Sequence, residues 1–369
     1  MKKTEHKLLF KNSQNMHQLK DESINLIVTS PPYPMIEMWD CLFSAQNQEI
    51  KQQLKKNNGR EAFELMHQEL DQVWKECYRV LQFGNFACIN IGDATRKIGD
   101  DFKLYSNHFR ILQSCHQIGF DILPVILWKK QTNSPNKFMG SGMLPAGAYV
   151  TLEHEYILIL RKGSKRKFKS NNDKENRQKS AFFWEERNNW FSDIWDFKGI
   201  KQQLNNGKTR NRSAAFPFEL AYRLINMYSV KGDIVLDPFL GTGTTTIASI
   251  ASERNSIGFD IDSHFRDEIF LSIQSACKFI NSYIHERLEK HLKFVEKYQL
   301  EKKKLKYENE FYQFPIMTKQ EIKLKLNYVK ELSLHKDDSI IALYSDKKKP
   351  PLRVKLSKNE MELPVNQLF

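Results

Sequence analysis

The segment Asp237-Pro238-Phe239-Leu240-Gly241-Thr242-Gly243-Thr244-Thr245 constrains this chain more than any other. It follows the short apolar run Asp233-Ile234-Val235-Leu236, which reads as a buried strand ending at Asp237. Gly241 and Gly243 then permit a tight turn with close backbone approach, and a helix is expected from Thr244. A strand end, a glycine turn and the amides of a helix N-terminus together make a seat for a nucleotide-type cofactor. A Gly-x-Gly turn alone is weak evidence, so the reading needs a second signal. The chain has no G-x-x-x-x-G-K-[ST] element, which leaves a triphosphate-cradling loop unsupported.

The second signal is Thr29-Ser30-Pro31-Pro32-Tyr33, which closes the apolar run Ile24 to Val28. Without the glycine turn, a Pro-Pro turn beside a core tyrosine would be the better interpretation. With it, the pair resembles the beta class of amino-group DNA methyltransferases, in which the catalytic motif precedes the target-recognition region and the cofactor motif comes last. The resemblance covers roughly Lys7 to Asp262. Phe216-Pro217-Phe218-Glu219-Leu220-Ala221, leading to Lys231-Gly232-Asp233, is similar to that family's cofactor-capping helix. Leu81-Gln82-Phe83-Gly84-Asn85 is similar to a family turn before a strand, and Glu153-His154-Glu155-Tyr156 to its late strand. Many relatives carry Gly-Asp after their first strand, whereas this chain has Lys11-Asn12.

The resemblance implies an α/β fold: a Rossmann-like S-adenosylmethionine-dependent methyltransferase with a mostly parallel sheet and circularly permuted motif order. It implies a cofactor site at Thr29, Phe216, Asp237, Phe239, Gly241, Thr242, Gly243, Thr244 and Asp260. Asp237 is placed to accept from the cofactor's ammonium, and Asp260 to hold the ribose hydroxyls, a helix cap being its alternative role. It assigns Ser30, Pro31, Pro32 and Tyr33 to the target base. The chemistry suits an exocyclic amine, whose lone pair is delocalised into the ring. Acceptors at the Ser30 hydroxyl and the Pro31 carbonyl would draw its hydrogens out of plane and direct that lone pair to the methyl carbon. The prolines fix φ and remove donors, and Tyr33 offers a face to stack on a flipped base. Ser at the first motif position points to cytosine-N4, where Asp would point to adenine-N6. The alternatives are an adenine-N6 enzyme of the same class, a non-catalytic DNA-binding protein on this fold, and a small-molecule or protein methyltransferase.

Charge supports a polyanionic partner. The 369 residues carry a net charge of +13. Basic residues crowd between Arg161 and Arg212, including Lys165, Arg166, Lys167, Arg210 and Arg212, the expected contacts to double-stranded DNA. Arginine can read guanine bidentately, so Arg210 and Arg212 are candidates for base readout. Trp184, Trp190 and Trp195 in the same stretch suit either base stacking or the core of a small recognition module. The five cysteines are scattered, with no C-x-x-C pair, which argues against disulfides and zinc. No cysteine follows a proline, so a covalent route to cytosine carbon-5 is unsupported. His154, between Glu153 and Glu155, reads as a strand-flanking residue before an acid–base one. No signal peptide or membrane-length apolar run is present, and a cytoplasmic protein of a prokaryote is expected. By resemblance, the setting is a restriction–modification system with a cognate endonuclease.

Short apolar runs predict strands at Lys7–Phe10, Ile24–Thr29, Phe86–Ile91, Ile122–Trp128, Tyr156–Leu160, Ile234–Leu236 and Ser256–Phe259, and their alternation with helices predicts a mostly parallel sheet. Helices are expected over Asp40–Arg79, broken at Asn57-Asn58-Gly59, and over Phe109–Ile118, closed by Gly119. Phe216–Tyr228 reads as a further helix, and Lys11 to Lys20 is helix-compatible. Thr132 to Ala148 reads as an irregular loop, and the basic stretch lacks sustained periodicity. Beyond Asp262, Ile269, Ile273, Ile280, Ile284, Leu288, Leu292 and Val295 form one helical stripe. Alternation at Ile322–Leu326 and Leu352–Leu356 suggests short strands. The resulting segments are 1–160 on the target-base side, 161–212 for recognition, 213–265 for the cofactor, and a basic extension 266–369, which reads as a separate module.

Overall fold

A strand with both faces covered must be apolar throughout, and all six residues of Ile24–Thr29 are buried. The computed structural model describes residues 2–130, 139–198, 216–301, 304–335 and 338–345. The chain divides into two compact units, one of Asn12–Lys165 with Asp193–Pro217, the other of Met1–Lys11, Arg166–Ser192 and Phe218–Phe369.

The unit containing the Ser-Pro-Pro-Tyr motif orders its strands Ile194–Asp196, Phe120–Lys129, His154–Lys162, Leu81–Ile91, Ile24–Thr29. The motif strand pairs parallel with Leu81–Ile91, which pairs antiparallel with His154–Lys162, bringing Asn90 opposite Ile157. Leu81–Ile91 is one strand through Gly84, whose φ of +80° belongs to an irregularity in the pairing, so no separate turn precedes Phe86. Phe120–Lys129 also shifts register between Leu123 and Ile126, around Pro124, which has no N–H to give to a ladder. Helix Gly59–Val80 buries Leu70, Val73, Trp74 and Cys77, and helix Asn107–Ile118 ends on Gly119 at φ +119°. The helix-compatible residues after Lys11 instead form turns. Asn12 Oδ1 accepts from Gln14 N at 2.9 Å and Asn15 Oδ1 from His17 N at 3.1 Å, local bonds that compete with a helix.

The unit containing the glycine turn orders its strands Ile234–Asp237, Asn255–Phe259, Lys3–Leu9, Ser339–Ser345, Tyr328–Leu334. The first three are mutually parallel and the last two antiparallel. The described part of the expected separate tail, up to Ser345, therefore belongs to this unit: Ser339–Ser345 pairs with Lys3–Leu9. Ile269, Ile273, Ile280, Ile284, Leu288 and Val295 are all buried, along helices Arg266–Ser275 and Cys277–Leu300. The basic stretch is more ordered than its lack of periodicity suggests, with helices Asn171–Lys179 and Trp184–Trp190. The second packs through Phe183 against Leu288, Phe314, Ile316 and Leu324. Ile322–Leu326 is not a strand; a turn follows the short helix Lys319–Glu321, with Leu324 N donating to Glu321 O at 3.0 Å. Leu352–Leu356 lies outside the described residues. Among the described residues no helix is long and apolar enough to cross a membrane.

Candidate active site

In the first unit the motif strand ends at Thr29, which is buried, and Pro31 and Pro32 are buried after it, while Ser30 between them is partly exposed. Tyr33 is 7% exposed, and its hydroxyl turns inward. It donates to Glu155 Oε2 at 2.9 Å, accepts from Asn90 Nδ2 at 2.9 Å, and lies 3.2 Å from Ser30 Oγ. Asn90 Nδ2 also donates to Glu155 Oε2, at 2.6 Å, and Lys130 Nζ pairs with Glu155 Oε1. Burial, then the charge of Glu155, pushes the Tyr33 hydroxyl well above the usual tyrosine value, so it stays protonated. Gly92 makes room for this packing. A Cβ there would stand 3.0 Å from Tyr33 Cε2 and 3.3 Å from Glu155 Cγ. A ring so enclosed presents little face to a base, and the hydroxyl network becomes the more prominent property of Tyr33.

Glu155, Asn90 and Lys130 escape motif reading because they come from three strand regions. The clue in the sequence was Glu155 in the Glu153-His154-Glu155-Tyr156 match, overshadowed there by its histidine neighbour. His154 itself meets Tyr156 edge-on at 4.9 Å and is only partly buried.

In the second unit, Asp237 ends its strand, 2% exposed, and organises the turn. Its carboxylate accepts from Phe239 N at 3.0 Å and from the Thr245 hydroxyl at 2.6 Å. Asp260 follows strand Asn255–Phe259 and accepts from Gly241 N at 3.0 Å and Asp262 N at 2.9 Å. It is thus a brace between the glycine turn and the next loop, not a helix cap. Gly241 and Gly243 adopt φ of +56° and +83°. A Cβ on Gly241 would meet nothing nearer than Phe239 O at 3.8 Å, so the turn is open there. A Cβ on Gly243 would lie 3.1 Å from Ile273 Cδ1, so packing as well as backbone angle demands glycine. Helix Thr244–Ala251 starts at Gly243 with no side-chain cap. An open glycine turn at an uncapped helix N-terminus fits the carboxylate end of S-adenosylmethionine. Phe239, Thr242 and Thr244 are partly exposed on the same turn, whereas Phe216, in the other unit's span, is buried.

The residues expected at DNA divide. Lys165 and Lys167 are exposed. Arg166 is not available in the same way: its guanidinium grips Asp233 through Nη1 at 2.6 Å and Nη2 at 3.0 Å, and Asp233 is buried. Arg210 and Arg212 lie outside the described residues. Trp190 and Trp195 are buried, the former under the Arg287 guanidinium, so both belong to cores, while Trp184 is exposed.

Comparison with known proteins adds independent findings. The DNA methylase family model matches residues 24–272. The Type II methyltransferase M.MthZI of Methanothermobacter thermautotrophicus is 50% identical over 346 residues, 93% of this chain and 96% of the relative. The Type II methyltransferase M.MjaI of Methanocaldococcus jannaschii is 52% identical over 274 residues, 71% of this chain and 89% of the relative. A crystal structure from Thermus thermophilus, provisionally assigned as a DNA modification methylase and complexed with S-adenosyl-L-methionine, is also similar. It has a TM-score of 0.55 at 30% identity and covers 73% of this chain and 96% of that one.

Proposed function

The chain belongs to the DNA methylase family, and from that premise we propose that it methylates the exocyclic N4 amine of cytosine in double-stranded DNA. Family membership makes it an S-adenosylmethionine-dependent DNA methyltransferase; the choice of base is our reading. The observation that carries it is the partly exposed Ser30 at the head of the motif, between buried neighbours. When bound, the cofactor supplies an electrophilic methyl group on a sulfonium. The Ser30 oxygen and the Pro31 carbonyl accept the two amine hydrogens, turning the nitrogen lone pair out of conjugation. With the cofactor bound, the nitrogen so positioned would take the methyl as the carbon–sulfur bond breaks, leaving S-adenosylhomocysteine, and would lose its proton to water, with no covalent bond to the protein.

The glycine turn holds the methionine end of the cofactor. The Gly241 and Gly243 backbone admits its carboxylate, with Thr242, Thr244 and Phe239 around it, while Asp237 and Asp260 keep the turn in shape. Thr29 and Phe216 complete the cofactor set in this reading, with Asp237 the partner of the ammonium. Recognition lies in residues 161–212, with Lys165 and Lys167 on phosphates and Arg210 and Arg212 on bases. The setting is a restriction–modification system in which a cognate endonuclease cuts the same site. The test is transfer of a tritiated methyl group to DNA followed by nucleoside chromatography. Label in N4-methylcytosine supports the reading; label in N6-methyladenine replaces it with the adenine enzyme.

A further inference from the structure

The Tyr33 hydroxyl has one proton and three polar neighbours, so the direction of every hydrogen bond around it can be worked out. Glu155 sits between Lys130 on one oxygen and Asn90 with Tyr33 on the other. An ionised carboxylate only accepts, so the Tyr33 proton goes to Glu155 Oε2, and the Asn90 amide must present its NH2 to both. The remaining contact, 3.2 Å between Ser30 Oγ and Tyr33 Oη, then has only one possible donor, Ser30.

We propose that Glu155 is a positioning residue for methyl transfer. By taking the Tyr33 proton it turns the Ser30 proton inward and leaves the Ser30 oxygen as a pure acceptor for the target amine. This rests on the assignment of Ser30 to the amine. A serine hydroxyl free to rotate would face the amine with its own proton for part of the time, donor against donor. The buried relay removes that state before the base arrives, which is electrostatic preorganisation. Lys130 keeps Glu155 oriented, and Gly92 lets Tyr33 and Glu155 close on each other.

Glu155→Gln tests this without changing shape. Lys130 can only donate, so the new carbonyl oxygen stays on Lys130 and the new NH2 faces Tyr33. Asn90 Oδ1, buried with no partner among the described residues, could turn to accept both from that NH2 and from the Tyr33 hydroxyl, so Asn90→Ala is made in the same protein to remove that substitute acceptor. Tyr33 must then point its proton at Ser30, which in turn points its own outward, whereas Asn90→Ala alone leaves Glu155 to take the Tyr33 proton. In single-turnover assays the methyl-transfer rate should fall about tenfold to a hundredfold from that of Asn90→Ala alone. Affinity for S-adenosylhomocysteine and for DNA should stay at the wild-type level. Tyr33→Phe cuts the relay at its middle and should slow transfer by about tenfold, taken as the low end of the same range. Because Glu155 reaches Ser30 only through Tyr33, adding Glu155→Gln to Tyr33→Phe should cost nothing further. A rate in the Glu155→Gln, Asn90→Ala protein equal to that of Asn90→Ala alone, an equal further loss on adding Glu155→Gln to Tyr33→Phe, or a parallel loss of cofactor affinity would each overturn the proposal. Transfer to adenine by the wild-type enzyme would overturn the cytosine reading alone, since the same rate comparison would hold for the adenine amine.

Discussion

Arg166 separates a structural from a DNA-binding reading of the basic stretch. It holds both oxygens of Asp233, at 2.6 and 3.0 Å, and Asp233 is 6% exposed with one further donor, Val230 N at 2.8 Å. That carboxylate fixes the turn from Val230 to Asp233 that feeds the strand ending at Asp237. Arg166→Ala leaves a buried carboxylate with one backbone donor. Breaking a fully buried pair costs about 3–5 kcal/mol. The Arg166 side chain is 28% exposed, so water can replace part of its hydration, and about 2 kcal/mol is expected. The assay is a denaturant midpoint alongside DNA binding by anisotropy at several salt concentrations. Arg166→Ala should lower the midpoint and leave the slope of log affinity against log salt at the wild-type value. Wild-type stability together with a slope reduced by about 0.9 would refute the structural role and return Arg166 to the phosphates.

The exposed neighbours should behave oppositely: Lys165→Ala with Lys167→Ala should lower the salt slope by up to about 1.8 and leave stability unchanged, as equilibrium binding and melting would show. Gly243→Val forces a β-branched residue to φ +83° against Ile273, and calorimetry should show S-adenosylhomocysteine affinity reduced about tenfold or more. His6 is fully buried between the Thr4 and Ser256 hydroxyls, and burial pushes its pKa down to about 3. The unfolded chain therefore binds the extra proton between pH 6.5 and 3, so this contribution is complete above 6.5 and is lost on acidification, by about 1.4 kcal/mol per pH unit. Melting between pH 7 and 5 should be less pH-dependent in His6→Gln; an unchanged slope would contradict a neutral buried His6.

Both motifs were legible because each is local. Strand Ile24–Thr29 and the turn from Asp237 to Thr245 are set by residues adjacent in sequence, and the structure has both with nearly the expected bounds. The relay to Ser30 was not legible, since Tyr33, Asn90, Lys130 and Glu155 meet only when separate strands pair. The tail was misread for the same reason. Its partner strand, Lys3–Leu9, lies at the opposite end of the sequence, and its alternation of buried Thr4, His6 and Leu8 includes two polar side chains. Helix Asn171–Lys179 escaped notice because none of its residues is buried, so it has no apolar stripe to show. Arg166 shows how charge density can mislead: a basic residue in a basic run is tied to a buried acid far along the chain.

The central claim is that Ser30 serves the base and not the cofactor, and Ser30→Ala tests it most directly. Single-turnover methyl transfer and S-adenosylhomocysteine affinity should be measured on the same preparation. The expected result is a rate lowered about a hundredfold or more with cofactor affinity unchanged. A rate near wild type, or a loss of cofactor affinity matching the loss of rate, would contradict it.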